Sequence, residues 1–165
     1  MSKYEVRSEN NVPEFLAALE QATFNALEGI GAEIEAKAKR TTPVGQVSGG
    51  KTKNSWKHKV DMGKNQVAIG NTEETAVWLE LGTGDYALNG DGRKGGWYIP
   101  IGNGKGMISQ EVVDAYHFKV VHGKDGMTYA FTHGMKPKRI LHNAVENSKG
   151  FIEKTLASML GGLGK

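Results

Sequence analysis

"ELGTGDYALNGDGRKGGW", residues 80–97, separates two possible folds. Six of its eighteen residues are glycine, and Gly90, Gly92 and Gly95 spell G-x-G-x-x-G. A phosphate cradle of that spelling belongs to a parallel α/β sheet. A strand must precede it and a helix must begin within it, so that helical N–H groups meet the phosphate. Here "GDYALN" precedes the motif and "GGWYIPIG" follows it, with Trp97 to Ile101 reading as a strand. Asp85 and Asp91 would also repel an anion. The stretch therefore reads as a long exposed loop. Gly82 stops a short packed element, with the positive φ that penalises a side chain. Thr83 and Gly84 turn the chain, and Trp97 re-enters a sheet.

On the N-terminal side of the loop, "NTEETAVWLELG" reads as a short helix with Asn71 as its cap and Gly82 as its stop. Val77, Leu79 and Leu81 also alternate, so a strand over 76–81 stays open. Before it, Trp56, His58, Val60 and Met62 alternate with Lys57, Lys59 and Asp61, the pattern of a half-buried strand. Val67 and Ile69 continue as its hairpin partner. Further upstream, Phe15, Leu16, Leu19, Thr23, Ala26, Leu27, Ile30, Ile34 and Ala38 follow the rhythm of one buried helical face. Pro13 suits the first turn, Asn10 or Asn11 the cap, and "TTP" at 41–43 the end. Gly29 and Gly31 predict a kink or a close packing partner in mid-helix.

Beyond the loop, strands are expected at 97–101, 117–122 and 127–132, the last two joined by an Asp125-Gly126 turn. A helix is expected from about Lys138 to Leu160, weakened by Gly150 and ended by Gly161 and Gly162. Tyr4 to Ser8 is a candidate edge strand. Helices do not alternate with strands at crossover length, so the class is α+β, an antiparallel sheet covered by helices.

The 165 residues suffice for one domain with a real core. The absence of cysteine excludes disulfides, thiolate chemistry and Cys-based zinc sites. No apolar run reaches the length of a membrane span, and the N-terminus lacks the apolar core of a signal peptide, which predicts a soluble, cytosolically made protein. Net charge is +3 but arranged in blocks. Residues 41–70 and 92–110 are basic, 71–91 carries five acids and no base, and 136–165 is basic. Such blocks mark solvated faces or a surface that meets a complementary one.

Motifs for chemistry are missing. Asp85, Asn89 and Asp91 do not fit a calcium loop, which needs a closing glutamate. His58, His117, His122, His133 and His142 show no close metal-binding pair. No G-x-S-x-G elbow is present. Glu33, Glu35 and Lys37 read as an ion-paired helix face rather than a nuclease triad. No catalytic residue, metal or cofactor is expected. The segment "KTKNSWKHK" is basic, and Lys51, Lys53, Lys57 and Lys59 are candidate nucleic-acid contacts, whose signature is affinity that falls steeply with salt. The competing reading is a solvated sheet face with Trp56 buried behind it.

Taken in order, the motifs resemble a known family. "AKRTTPV" ends the first helix and "NSW" opens the next strand. "VAIGNTEETAVWLELGTG", "GR" and "GGW" follow, and "THGMKPKRIL" opens the last helix. This resembles the gene-product-ten-like tail-component family of long-tailed bacteriophages, whose members are neck proteins, also called tail-completion or head–tail joining proteins. The resemblance spans about residues 12–147. It is strongest at Glu80-Leu81-Gly82-Thr83-Gly84 and at Thr132, Gly134, Pro137 and Leu141, with Trp97 of "GGW" among its motif residues. Two features depart from the family. Where it has Pro-Val-Asp-Thr-Gly-x-Leu-Arg-x-Ser, this chain follows Pro43-Val44 with a glycine- and lysine-rich run, and it carries extra sequence around 108–127.

The resemblance implies a curved antiparallel sheet packed against a long N-terminal and a C-terminal helix, with long glycine-rich loops. The chain reads as one domain over 1–165, with flexible loops at 44–53 and 82–110 and a disordered tail at 161–165. The resemblance implies a non-enzymatic virion subunit at the head–tail junction, made in the host bacterial cytoplasm. Its partners would be other neck, connector and tail proteins, with no membrane partner. It would form a hexameric ring around a channel passing DNA, in transient contact with that DNA, and be monomeric when isolated. The residues expected to meet neighbouring subunits are Glu73, Glu74, Glu80, Thr83, Asp85, Arg93 and Lys94.

Overall fold

The first helix, α1 (Val12–Thr41), organises the fold. The structure, a computed structural model, describes residues 10–45 and 49–162. The expected strand at 4–8 lies outside the described residues, as do parts of the expected loop at 44–53 and tail at 161–165. Pro13 occupies the first turn of α1, and Asn10 Oδ1 accepts a hydrogen bond from the Val12 N–H at 3.2 Å. At the other end the Thr42 hydroxyl donates to the Ala38 carbonyl at 2.6 Å and accepts from Trp56 Nε1 at 2.8 Å. The helix stop thereby anchors the start of β1.

After a four-residue helical turn, α2 (Lys51–Asn54), come β1 (Trp56–Asp61) and β2 (Gln66–Asn71). They pair antiparallel from Trp56 opposite Asn71 to Asp61 opposite Gln66. This hairpin lies on α1 at Gly31, where a Cβ would come within 2.5 Å of His58 Cδ2 and 2.7 Å of Val67 Cγ2. Of the two mid-helix glycines, Gly31 is the close packing point; nothing lies within 4 Å of a Cβ at Gly29. Residues 74–81 form a helix, α3 (Glu74–Leu81), not a strand, and Gly82 ends it with φ +73°.

The remaining strands are β3 (Trp97–Pro100), β4 (Lys119–His122) and β5 (Thr128–Thr132), in the order β3-β5-β4, all antiparallel. The antiparallel strands thus divide into a hairpin and a separate three-stranded sheet. An unexpected short helix, α4 (Gln110–Ala115), lies in the extra sequence, its first turn capped by Ser109. The single C-terminal helix of the sequence reading is two, α5 (Ile140–Glu146) and α6 (Lys149–Gly162). The break falls at Ser148, which is fully buried. Its hydroxyl donates back to the Ala144 carbonyl at 2.7 Å, and its N–H bonds Val145 three residues back, tightening the turn. Helix α6 includes Gly161 and reaches Gly162, the last of the described residues.

The main core joins Ile30, Ile34 and Ala38 of α1, Trp56 of β1, Ala76 and Leu79 of α3, and Ile140 and Ala144 of α5. Each large apolar side chain buried there contributes about 1.5–3 kcal/mol. None of that core cluster comes from the three-stranded sheet.

Candidate functional site

The glycine loop is packed from within. Gly84 has φ +62°, and a Cβ there would collide with the His133 carbonyl; Gly134 has φ +100°, and a Cβ there would strike the Thr83 carbonyl. Two backbones approach each other where only glycine fits. The Thr83 N–H donates to the Met135 carbonyl at 2.9 Å, and the Met135 N–H returns to Thr83 Oγ1 at 2.9 Å. The Asp85 N–H donates to the His133 carbonyl at 2.9 Å. Glu80 reaches across to α5, where its carboxylate accepts from the Leu141 N–H at 2.7 Å and the His142 N–H at 3.0 Å. It thus caps the otherwise unsatisfied first turn of that helix. The two strongest family-like stretches, about fifty residues apart in sequence, form one physical junction.

The junction settles the G-x-G-x-x-G question. No helix begins within 90–95, and the Gly95 N–H is turned inward to Asp85 Oδ1 at 2.9 Å. Asp85 Oδ2 meets His133 Nδ1 at 2.7 Å. The hydrogen bond from His133, with that from Gly95, holds the Asp85 carboxyl below its ordinary range. Arg93 lies over the Trp97 ring, 5.9 Å from its centroid.

The expected interface residues therefore divide. Glu80, Thr83 and Asp85 make bonds within the subunit. Glu73 pairs with Lys51 at 3.0 Å, so the acidic and basic blocks meet each other here. Glu74, Arg93 and Lys94 are exposed. Of the basic candidates, Lys57 and Lys59 share the exposed face of β1, while Lys51 and Lys53 sit on α2 rather than on a loop. Among the described residues, no group of three or more His, Asp or Glu is placed to hold a metal, and no helix is long and apolar enough to cross a membrane.

Sequence reasoning missed one cluster. His58 Nδ1 lies 2.6 Å from Glu35 Oε2, and Nε2 lies 3.0 Å from Glu28 Oε1. Lys39 Nζ holds the other Glu35 oxygen at 2.5 Å. Burial works to raise Glu35, but hydrogen bonds from Lys39 and His58 outweigh it and hold the carboxyl at about 2. Burial likewise pulls His58 down, and its bonds to Glu35 and Glu28 raise it above its ordinary value. The available signal was the placement of Glu28 and Glu35 two turns apart on one helix face, opposite an inward-facing strand residue.

No curated protein and no solved structure matches the chain. A family match covers α1, the hairpin and α3 and stops at Gly82, before the three-stranded sheet. Over residues 14–82, the chain matches the family described as "Bacteriophage HK97-gp10, putative tail-component", the family that its motif order resembles.

Proposed function

We propose that the protein is a structural subunit of the phage neck, forming part of the head–tail connector or tail-completion ring at the head–tail junction of the virion. The observation that carries this is the tail-component match over 14–82, which falls on the helix, hairpin and short helix that build the main core. A tail-component family implies a structural rather than a catalytic role, with other neck and tail proteins as partners. A closed ring needs one surface to complement a different surface on its neighbour. Exposed Glu74 on α3, with Arg93 and Lys94 on the glycine loop, supplies opposite charges for such contacts. Glu80, Thr83 and Asp85 shape that surface from within.

The test is location. Particles assembled with an epitope after Lys165 are expected to take antibody label at the head–tail junction in electron micrographs. Label along the tail tube, or particles without the protein, would overturn the reading.

A further inference from the structure

The apolar stripe of α1 outruns its cover. Ile30, Ile34 and Ala38 are buried, but towards the N-terminus Val12, Phe15 and Leu16 are 59%, 48% and 56% exposed. Helical spacing places them on the face that becomes the core stripe further along. Exposed Glu14 and Glu20 flank this ridge, while Glu28, Glu33 and Glu35 further along are paired with His58, Lys37 and Lys39. The ridge is therefore apolar with two exposed carboxylates beside it.

A second uncovered face has the opposite charge. Strand register puts Tyr98, Phe131 and Lys119 in one row on one side of the three-stranded sheet. Tyr98 is 57% exposed and packs on Phe131 with ring centroids 4.9 Å apart. Lys119 is exposed beside them. Lys119 supplies the charge in that row, while Asp125, bonded to the Tyr129 hydroxyl, and Asp85, bonded to His133, lie at the edges of the aromatic cluster with their carboxylates already engaged.

We infer that the acidic apolar ridge of α1, at Val12, Phe15 and Leu16, docks on the basic aromatic sheet face, at Tyr98, Phe131 and Lys119, of a second copy of this chain. Both halves of the complementary pair are on this one sequence. Ridge against ridge would oppose Glu14 and Glu20 of the two copies, and sheet against sheet would oppose their two Lys119 side chains. Only the unlike pairing joins apolar area with opposite charge. The contact is heterologous, so it repeats head to tail and either closes into a ring or continues as a filament. This inference rests on the ring reading above and gives it a specific surface.

The chain has no cysteine, which makes the test direct. Leu16→Cys and Tyr98→Cys, both at exposed positions, are mixed as purified single variants under a mild oxidant. The expected product is a disulfide-linked heterodimer, and the double variant is expected to give a ladder of higher species. Adding Glu14→Lys and Glu20→Lys to the Leu16→Cys chain is expected to cut the heterodimer yield about tenfold, and Lys119→Glu in the Tyr98→Cys chain to restore much of it. Equal self-linking of the Leu16→Cys chain would overturn the pairing. So would native oligomers without the mixed disulfide, while leaving the ring reading intact. The absence of both oligomer and disulfide, even with the products of the neighbouring genes added, would remove the inference and the ring together.

Discussion

Glu80 shows how one side chain links two distant segments. It leaves α3, crosses to α5 and satisfies two N–H groups of the first turn there. Glu80→Ala is expected to cost about 1 kcal/mol in urea unfolding, the usual worth of a helix cap, and Glu80→Gln less. Equal stability of Glu80→Ala and the natural protein would show that the cap carries no weight. His58 makes a second prediction. A neutral imidazole has one N–H and one lone pair, so carboxylates on both nitrogens are satisfied together only by the imidazolium. Glu28 and Glu35 face it from α1, with Lys39 behind Glu35; on β2 its neighbours Val67 and Ile69 are uncharged. Because the folded value is raised, this stabilisation is fully present below the ordinary histidine value, roughly 6.5. It is lost as the pH rises through the higher folded value. Glu35 acts in the other direction: its contribution is present above 4.5 and is lost as the pH falls through about 2. Calorimetric melting from roughly pH 6 to 9 is expected to show a declining Tm that His58→Gln flattens. Parallel curves for the two proteins would contradict the clamp.

At the scale of elements, α1 yields a matched pair of substitutions. Gly29 and Gly31 both weaken a helix, but only Gly31 has a neighbour pressed against it. Gly29→Ala is expected to stabilise by about 0.5–1 kcal/mol through helix propensity. Gly31→Ala is expected to destabilise by about 1–3 kcal/mol, because His58 is held by two carboxylates and has nowhere to move. The same sign for both in denaturant titrations would refute the close contact. Period made α1 and the hairpin legible in the sequence, since each buries one face; the stops at Pro43 and Gly82 marked the ends of α1 and α3, although alternation left a strand over 76–81 open. Less was legible where the cause is tertiary. Ser148 breaks the last helix because burial turns its hydroxyl back onto the preceding turn, and no local pattern announces that. Helix α4 is too short for its period to show. Charge blocks did not disclose that Glu73 would pair with Lys51 or that Asp85 would turn inward to His133, because pairing depends on which segments the fold brings together.

The whole molecule has two parts with different standing. The main core of α1, hairpin, α3 and α5 includes most of the family-matched segment. The three-stranded sheet lies beyond that match and is tied to the core through the Thr83–Met135 and Asp85–His133 junction. The loop whose glycines spelled a phosphate motif runs between these parts; Gly82, Gly84, Gly92 and Gly96 are pressed against neighbouring backbone, while Gly90 and Gly95 have open space around them and serve their positive φ. Exposed apolar side chains remain on each part, Val12, Phe15 and Leu16 beside Glu14 and Glu20 on one and Tyr98 beside Lys119 on the other, as expected of a subunit completed by its neighbours. Native mass spectrometry of the purified chain, alone and with the products of its neighbouring genes, tests this most directly. The account predicts a closed oligomer of ring size, six copies by the family resemblance, either alone at high concentration or once those neighbours are added. A chain that stays monomeric and binds none of them under every condition would contradict it.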